Sequence, residues 1–321
     1  MSIRRYAAAL ALALGLTAAC GSPSTPLPPT APPTSTAPTT PAPTSTAQPC
    51  TDALTSYAPA ATLPGPGAMP DGSTMRAIQK RGRLIAGVSA DTYLFAARNP
   101  VSGQIEGFDI DVVKAITKAI FGDETKYQLR VITAADRIPL LQQHKVDVVV
   151  RTFSITCDRW QQIAFSAEYY RAGQKILVTK GSDVTDLAGL AGKRVCAPAG
   201  TSSMTTLVQD EPDAVAVAAP NHTGCLVKFQ EGQVDAITGD DTVLAGLAAQ
   251  DPYAAVVGAA FTVEPYGVGI PRDQVDMVRF VNGVLARMRA DGEWLASYNR
   301  WLAPTLGRAP TPPVPQYGRT G

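Results

Sequence analysis

The sequence predicts an α/β protein made of two similar units in series with a helical return at its end, and three observations carry that prediction. Strand-like apolar runs alternate with helical patterns from Leu84 onward, the signature of sheets covered by helices. The alternation runs as far as Tyr169-Tyr170 and then starts again, so the chain builds two lobes, and small-ligand sites favour clefts between lobes. Third, Val148, Val149 and Val150 form an apolar run bounded by polar residues, which reads as a buried strand of a parallel sheet.

Taken in order, Leu84–Val88 is the first strand and residues 89–99 a loop. Asp109 reads as the N-cap of a helix in which Ile110, Val113, Ile116 and Ile120 recur at helical spacing before Gly122 closes it. Leu129–Ile132 is a strand, Ile138–Gln143 a short helix and Val146–Val150 a strand. In the second unit Lys175–Val178, Arg194–Ala197, Val215–Ala218, Val234–Thr238 and Ala255–Val257 are strands. Ser202–Val208, Cys225–Glu231 and Thr242–Gln250 are helices, and Asp273–Ala290 and Glu293–Leu302 are the amphipathic return.

The N-terminus points to export. Arg4 and Arg5 precede the apolar run Tyr6–Leu16, which is too short to span a bilayer and has the layout of a secretory signal. Thr17-Ala18-Ala19-Cys20-Gly21 follows at once and resembles a bacterial lipobox, in which the cysteine is lipidated, although Thr17 stands where leucine is usual. Residues 22–49 are nearly all Pro, Thr, Ser and Ala, a composition that buries little apolar surface and favours an extended spacer. The organisation is therefore a signal over 1–20, a stalk and linker over 21–73, a first lobe over 74–170, a second over 171–264, a return over 265–304 and a Pro-rich tail over 305–321. The expectation is a monomer anchored to the outer face of the cell membrane.

With 28 basic and 27 acidic residues the net charge is +1, which points to no nucleic-acid or polyanionic partner. Apart from Cys20 there are Cys50, Cys157, Cys196 and Cys225; an even number in an oxidising compartment is most simply two disulfides. They show no CxxC spacing, and the two histidines, His144 and His222, lie in polar contexts that suggest exposure, so neither a metal site nor a cofactor is expected.

The chemistry concentrates in residues 146–159, VDVVVRTFSITCDR, because open α/β sheets bind ligands beyond the carboxyl ends of their strands. Ser154 and Thr156 offer hydroxyls, and the planar guanidinium of Arg159 can hold a carboxylate with two parallel hydrogen bonds. The alternative is an Arg159 paired with Asp158 or Glu168 at the surface.

Six segments then share a resemblance: GFDIDVVKAI at 107–116, the VDVVVRTFSITCDR segment, FSAEYYRAGQKILV at 165–178, LAGKRVCAPAGTSS at 190–203, VDAITGDDTVLAG at 234–246 and YGVGIP at 266–271. In this order they resemble the family 3 solute-binding proteins, the polar amino-acid receptors of ABC importers, and among them the glutamine/glutamate-binding lipoproteins of actinobacteria. The resemblance implies a two-lobed periplasmic-binding-protein fold (type II), each lobe a mixed sheet flanked by helices, with the ligand in the cleft. It implies Arg159 at the α-carboxylate, Thr152 and Ser154 beside it, Asp240 at the α-ammonium, and Gly200-Thr201-Ser202 adding backbone N–H groups at a helix N-terminus. Asp91, Tyr93 and Phe95 fall in the first loop, where the family places a polar contact and an aromatic lid. Ala134 stands where many relatives carry an aromatic.

Arg151 departs from relatives that have a small residue there. Alternation along an extended segment turns it away from Thr152, toward solvent or Asp136; turned into the cleft, it favours a ligand with a second negative charge. The function implied is a receptor for a polar or acidic amino acid, aspartate or glutamate, or their amides. Its partner is an ABC permease or a membrane sensor, and it closes about hinges near 170–174 and 263–267. A dehydratase on the same scaffold would need a histidine or glutamate in the cleft, and an adhesion module would need no such site, so no enzyme is expected. Cys196 and Cys225 begin elements of the same lobe and are paired on that ground, which leaves Cys50 for Cys157.

Overall fold

A computed structural model of the chain describes Asp52–Thr320. Cys20, Cys50 and the signal and stalk readings before Asp52 lie outside the described residues. In the first lobe Leu84–Val88 runs parallel to Tyr127–Val131 on one side and to Val148–Val149 on the other. The strand Gly269–Ile270 returns from the far end of the sequence and enters the same sheet between Val148–Val149 and Ala164–Phe165, antiparallel to both. The lobe is thus closed by the chain's return. Residues 89–99, expected as a loop, instead form a hairpin of Asp91–Thr92 with Ala96–Arg98, and Ile105–Glu106 adds a third strand.

The helix Phe108–Phe121 buries Ile110, Val113, Ile116 and Ile120 against this sheet, as its spacing predicts, and Gly122 ends it with φ +76°. Its N-cap is Gly107 rather than Asp109. The reason is close packing: a Cβ on Gly107 would lie 2.3 Å from the Phe95 carbonyl oxygen. Asp109 falls inside the first turn, where its side chain is wholly buried and free for other work.

The second lobe has the strand order Val215–Ala219, Arg194–Pro198, Ala236–Asp240, Gln174–Thr179, Ala254–Val257. The first three are parallel, and Gln174–Thr179 is antiparallel to its neighbours. Side chains alternate between two small cores, Leu177, Cys196 and Ile237 on one face and Ile176, Val178, Val195 and Ala236 on the other. Cys196 and Cys225 are disulfide-bonded, tying a central strand to the helix His222–Gln230. Cys157 is also disulfide-bonded. Between the lobes run two paired antiparallel strands, Tyr170–Ala172 and Glu264–Tyr266, at the places expected to act as hinges.

Both ends of the described chain depart from the expected linker and tail. Thr55–Ser56 pairs in parallel with Gln316–Tyr317. Ser56 is fully buried and donates to the Phe165 carbonyl at 2.9 Å, and Asn282 Nδ2 donates to Ser56 Oγ at 2.9 Å. The Arg319 guanidinium lies 3.9 Å from the centre of the Trp160 ring and donates to the carbonyls of Thr55 and Asp52. Buried backbone needs partners, and the two polar termini supply them to each other. Among the described residues no helix is long and apolar enough to cross a membrane.

Candidate functional site

The site forms where the strand Val148–Val149 ends. Thr152 has φ +37°, an unusual backbone for a β-branched residue. Its N–H donates to Asp109 Oδ2 at 2.9 Å, and Tyr169 Oη donates to Asp109 Oδ1 at 2.6 Å. Beyond it Phe153 is buried and Ser154 forms an isolated bridge to Tyr266. A single helical turn, Cys157–Trp160, then starts at Thr156, whose hydroxyl accepts the Arg159 N–H at 3.3 Å.

That turn aims Arg159 back into the cleft. Its Nη1 donates to the Ser154 carbonyl at 2.6 Å and its Nη2 to the Gly200 carbonyl of the second lobe at 3.2 Å, with the guanidinium 5.0 Å from the Phe153 ring centre. It pairs with neither Asp158 nor Glu168: the buried Glu168 carboxylate accepts two hydrogen bonds from Arg171 instead, at 2.7 and 2.6 Å.

From the second lobe, Asp240 ends the strand Ala236–Asp240, opposite Gln174 in the ladder. It is buried and accepts from Tyr266 Oη at 2.5 Å. Gly200-Thr201-Ser202 opens the helix Ser202–Asp210, and Thr201 Oγ1 caps it by accepting the Met204 N–H at 3.1 Å. Gly200 has φ +76°, and a Cβ there would lie 2.9 Å from Ala135 Cα, so only glycine permits this approach of the lobes. Ser202 Oγ lies 3.3 Å from Ser154 Oγ and donates to Glu264 at 2.7 Å.

Arg137, Arg151, Thr152, Ser154, Thr201, Ser202, Ser203, His222 and Asp240 enclose a space of about 10 Å³, room for one water. An amino acid enters only if the lobes part, and the paired crossing strands are the connection about which they would swing. Arg159 stands beside this space, in the wall of an outer groove of about 430 Å³ that also contains Glu264 and Thr262. The structure therefore brings Arg151, Thr152, Ser154, Thr201, Ser202 and Asp240 together, with Gly200 and Arg159 at the edge. It does not bring the first-loop aromatics. Phe95 is in the core, edge-on to Phe108, Tyr170 and Tyr266. Tyr93 lines a separate groove of about 670 Å³ with Trp301 and Pro304, and so does Asp91, which accepts from Ser89 Oγ.

Three residues of this lining escape sequence reasoning, Ser203, Arg137 and His222, and the last two bear on its charge. Arg137 opens a short helix, where nothing in the sequence singles it out, yet it is buried 4.2 Å from the Phe153 ring centre. It donates to the Ala134 carbonyl at 2.8 Å and across the cleft to Gly200 at 2.9 Å. His222, expected to be exposed, faces the cleft, and its Nε2 is buried without a hydrogen-bond partner among the described residues. No periodicity marks either residue, because each gains its meaning from the opposite lobe.

Burial dominates the electrostatics. It raises Asp240 to about 7, helped by the nearby Glu264 and opposed by the Tyr266 hydrogen bond. Asp109 rises to about 6 for the same reason, against its bonds from Tyr169 and Thr152. His222 falls to about 3, through burial and the positive field of Arg151 and Arg137, and so is neutral at pH 7. Burial also lowers Arg151, which the negative fields of Asp91, Asp109 and Asp136 partly offset. Arg151 does not turn toward solvent: it is buried, and among the described residues only its Nε is bonded, to the Ile132 carbonyl at 3.0 Å. Side chains do not alternate there because the left-handed turn at Thr152 breaks the extended backbone.

Three comparisons bear on this geometry. The sequence profile of the bacterial extracellular solute-binding proteins, family 3, matches residues 84–304. The ABC transporter glutamine-binding protein GlnH of Bacillus subtilis is 37% identical over 230 residues, 71% of this chain and 84% of the relative. The glutamate-binding protein GluB of Corynebacterium efficiens is 30% identical over 258 residues, 77% of this chain and 86% of the relative. Among solved structures, a solute receptor for L-cysteine of Neisseria gonorrhoeae superposes with a TM-score of 0.70 at 24% identity, covering 73% of this chain and 96% of that one. The last is a likeness of fold, a two-lobed type II binding protein.

Proposed function

The chain belongs to the bacterial extracellular solute-binding proteins of family 3, a family of receptors and not of enzymes, and from that premise we propose that it captures an acidic amino acid, aspartate or glutamate, with asparagine and glutamine as weaker ligands. The observation that carries the reading is Arg151. It is buried at the interlobe cavity, in no ion pair among the described residues, with its terminal nitrogens unbonded. A buried, unpaired guanidinium is costly, and a ligand carboxylate relieves that cost better than a neutral amide. The unpartnered His222 Nε2 beside it adds a donor when the ring carries its proton there.

The remaining roles follow from charge. Once the lobes part, Arg159 exchanges the Ser154 and Gly200 carbonyls for the α-carboxylate, with the N-terminus of the helix Ser202–Asp210 facing the same group. Asp240 receives the α-ammonium, whose positive charge favours the ionised form that burial disfavours. Arg137 braces the loop through carbonyls of both lobes. The ligand is handed to the membrane permease of an ABC importer, which the transporter role in the name of the Bacillus subtilis relative supports. The receptor is tethered by lipidated Cys20.

Calorimetric titration with the four amino acids tests the ligand. Aspartate and glutamate should bind roughly ten- to a hundredfold more tightly than their amides, and Arg151→Ala should erode that difference. Equal affinities in the unaltered protein, or a parallel loss for acids and amides, would refute it. For the tether, Cys20→Ala should release the protein or leave it unprocessed, and unchanged membrane association would rule lipidation out.

A further inference from the structure

We infer that Asp109 is a positioning residue for ligand selectivity: by holding the Thr152 N–H it turns the backbone so that Arg151 enters the cleft. The inference rests on the acidic-ligand reading only in naming which ligands report the effect. In a regular extended segment neighbouring side chains face opposite ways, yet Arg151 and Thr152, adjacent in sequence, both line the cavity. The left-handed φ of +37° at Thr152 makes this possible. A β-branched residue resists that conformation, and the resistance amounts to roughly a 5- to 150-fold preference for ordinary backbone. Something must hold the turn.

Asp109 is placed to do so. Its carboxylate is wholly buried in the first turn of the helix Phe108–Phe121, with no ion pair among the described residues, and both oxygens are in use. Oδ2 accepts the Thr152 N–H at 2.9 Å, and Oδ1 is fixed by Tyr169 Oη at 2.6 Å. A carboxylate accepting a backbone N–H forms a strong, directional bond. The Tyr169 bond keeps it from rotating away. Asp109 touches no ligand in this scheme; it acts through Thr152 on Arg151.

A double-mutant cycle on the full chain tests this, reading the ratio of glutamate to glutamine affinity. Asp109→Ala should reduce the ratio about tenfold or more, and should change it little when Arg151 is already Ala. Asp109→Asn keeps an acceptor for the Thr152 N–H and should hold the ratio within about threefold of the parent. Thr152→Gly removes the backbone resistance, so, whatever that change costs by itself at the site, adding Asp109→Ala to Thr152→Gly should change the ratio far less than adding it to the parent. That pair decides the matter even where Asp109→Ala alone does not fold. A loss of about tenfold or more on adding Asp109→Ala to Thr152→Gly, or equal effects of Asp109→Ala with and without Arg151, would overturn the inference, as would loss of the ratio in Asp109→Asn. An unaltered protein that binds glutamine as tightly as glutamate would instead sink the acidic-ligand reading. The cycle, read on the better ligand, would then still show whether Asp109 and Arg151 are coupled.

Discussion

Lowering the pH from 7 to 5 should weaken amino-acid binding by about 50-fold, and Asp240→Asn should remove most of that dependence. The magnitude follows from a carboxyl raised to about 7 by burial. About half of it is ionised at pH 7 and about one part in a hundred at pH 5, and an ammonium binds only the ionised form. The ligand's own groups do not titrate strongly in that window: a side-chain carboxyl of a free acidic amino acid ionises near 4 and its ammonium stays charged. Calorimetry at several pH values reads the affinity, and buffers of different ionisation enthalpy read the release of about half a proton on binding at pH 7. An affinity constant within twofold from pH 5 to pH 8, or an unchanged slope in the Asp240→Asn variant, would refute the assignment of Asp240 to the ammonium. The sign for folding is opposite. A folded state that holds a proton up to about pH 7, while the unfolded chain releases it near 3.8, makes the ligand-free protein less stable as pH rises through that window.

Three further outcomes can be measured. Arg159→Ala should weaken binding by about 2–5 kcal/mol, roughly 30- to several-thousand-fold, with unchanged circular dichroism; retained affinity in a folded variant would displace it from the site. Breaking the disulfide by Cys196→Ala with Cys225→Ala, a separation of 29 residues, should cost about 3–4 kcal/mol in urea unfolding by the chain-entropy account. Arg319→Ala should lower stability by about 1–2 kcal/mol, from the lost stacking on Trp160 and the carbonyls of Thr55 and Asp52, and should speed proteolysis near residue 52. An unchanged cleavage rate would mean that the two ends are held independently.

The strands of the second lobe were legible because each is short, apolar and bounded by polar residues, and Arg194–Pro198 and Val215–Ala219 match their expected limits to within a residue. The helix Phe108–Phe121 was legible from its spacing, but its cap was not: Asp109 has the chemistry of a cap, and only the approach of Phe95 to Gly107 shows why glycine takes that place. The segment ending in Arg159 was legible as a strand end followed by hydroxyls, and the structure sets Thr152 and Ser154 at the cleft. The first-loop aromatics misled, because an aromatic in a loop is as useful to a core as to a lid, and Phe95 went to the core.

By itself the sequence determined the alternation of strands and helices, the two-lobed plan, the cysteines that share a lobe and the arginine and aspartate of the cleft. Those features are written in local spacing and residue type. The direction of Arg151 belongs to the tertiary structure, since it depends on a backbone turn held by a carboxylate 43 residues away. Arg137 and His222 joined the site for the same reason: each gains its role from groups of the opposite lobe. The docking of Gln316–Tyr317 beside Thr55–Ser56 is also tertiary. Polar, proline-rich segments carry no periodic signal of burial, and what orders them is the hydrogen bonds they offer each other once the core has brought them together.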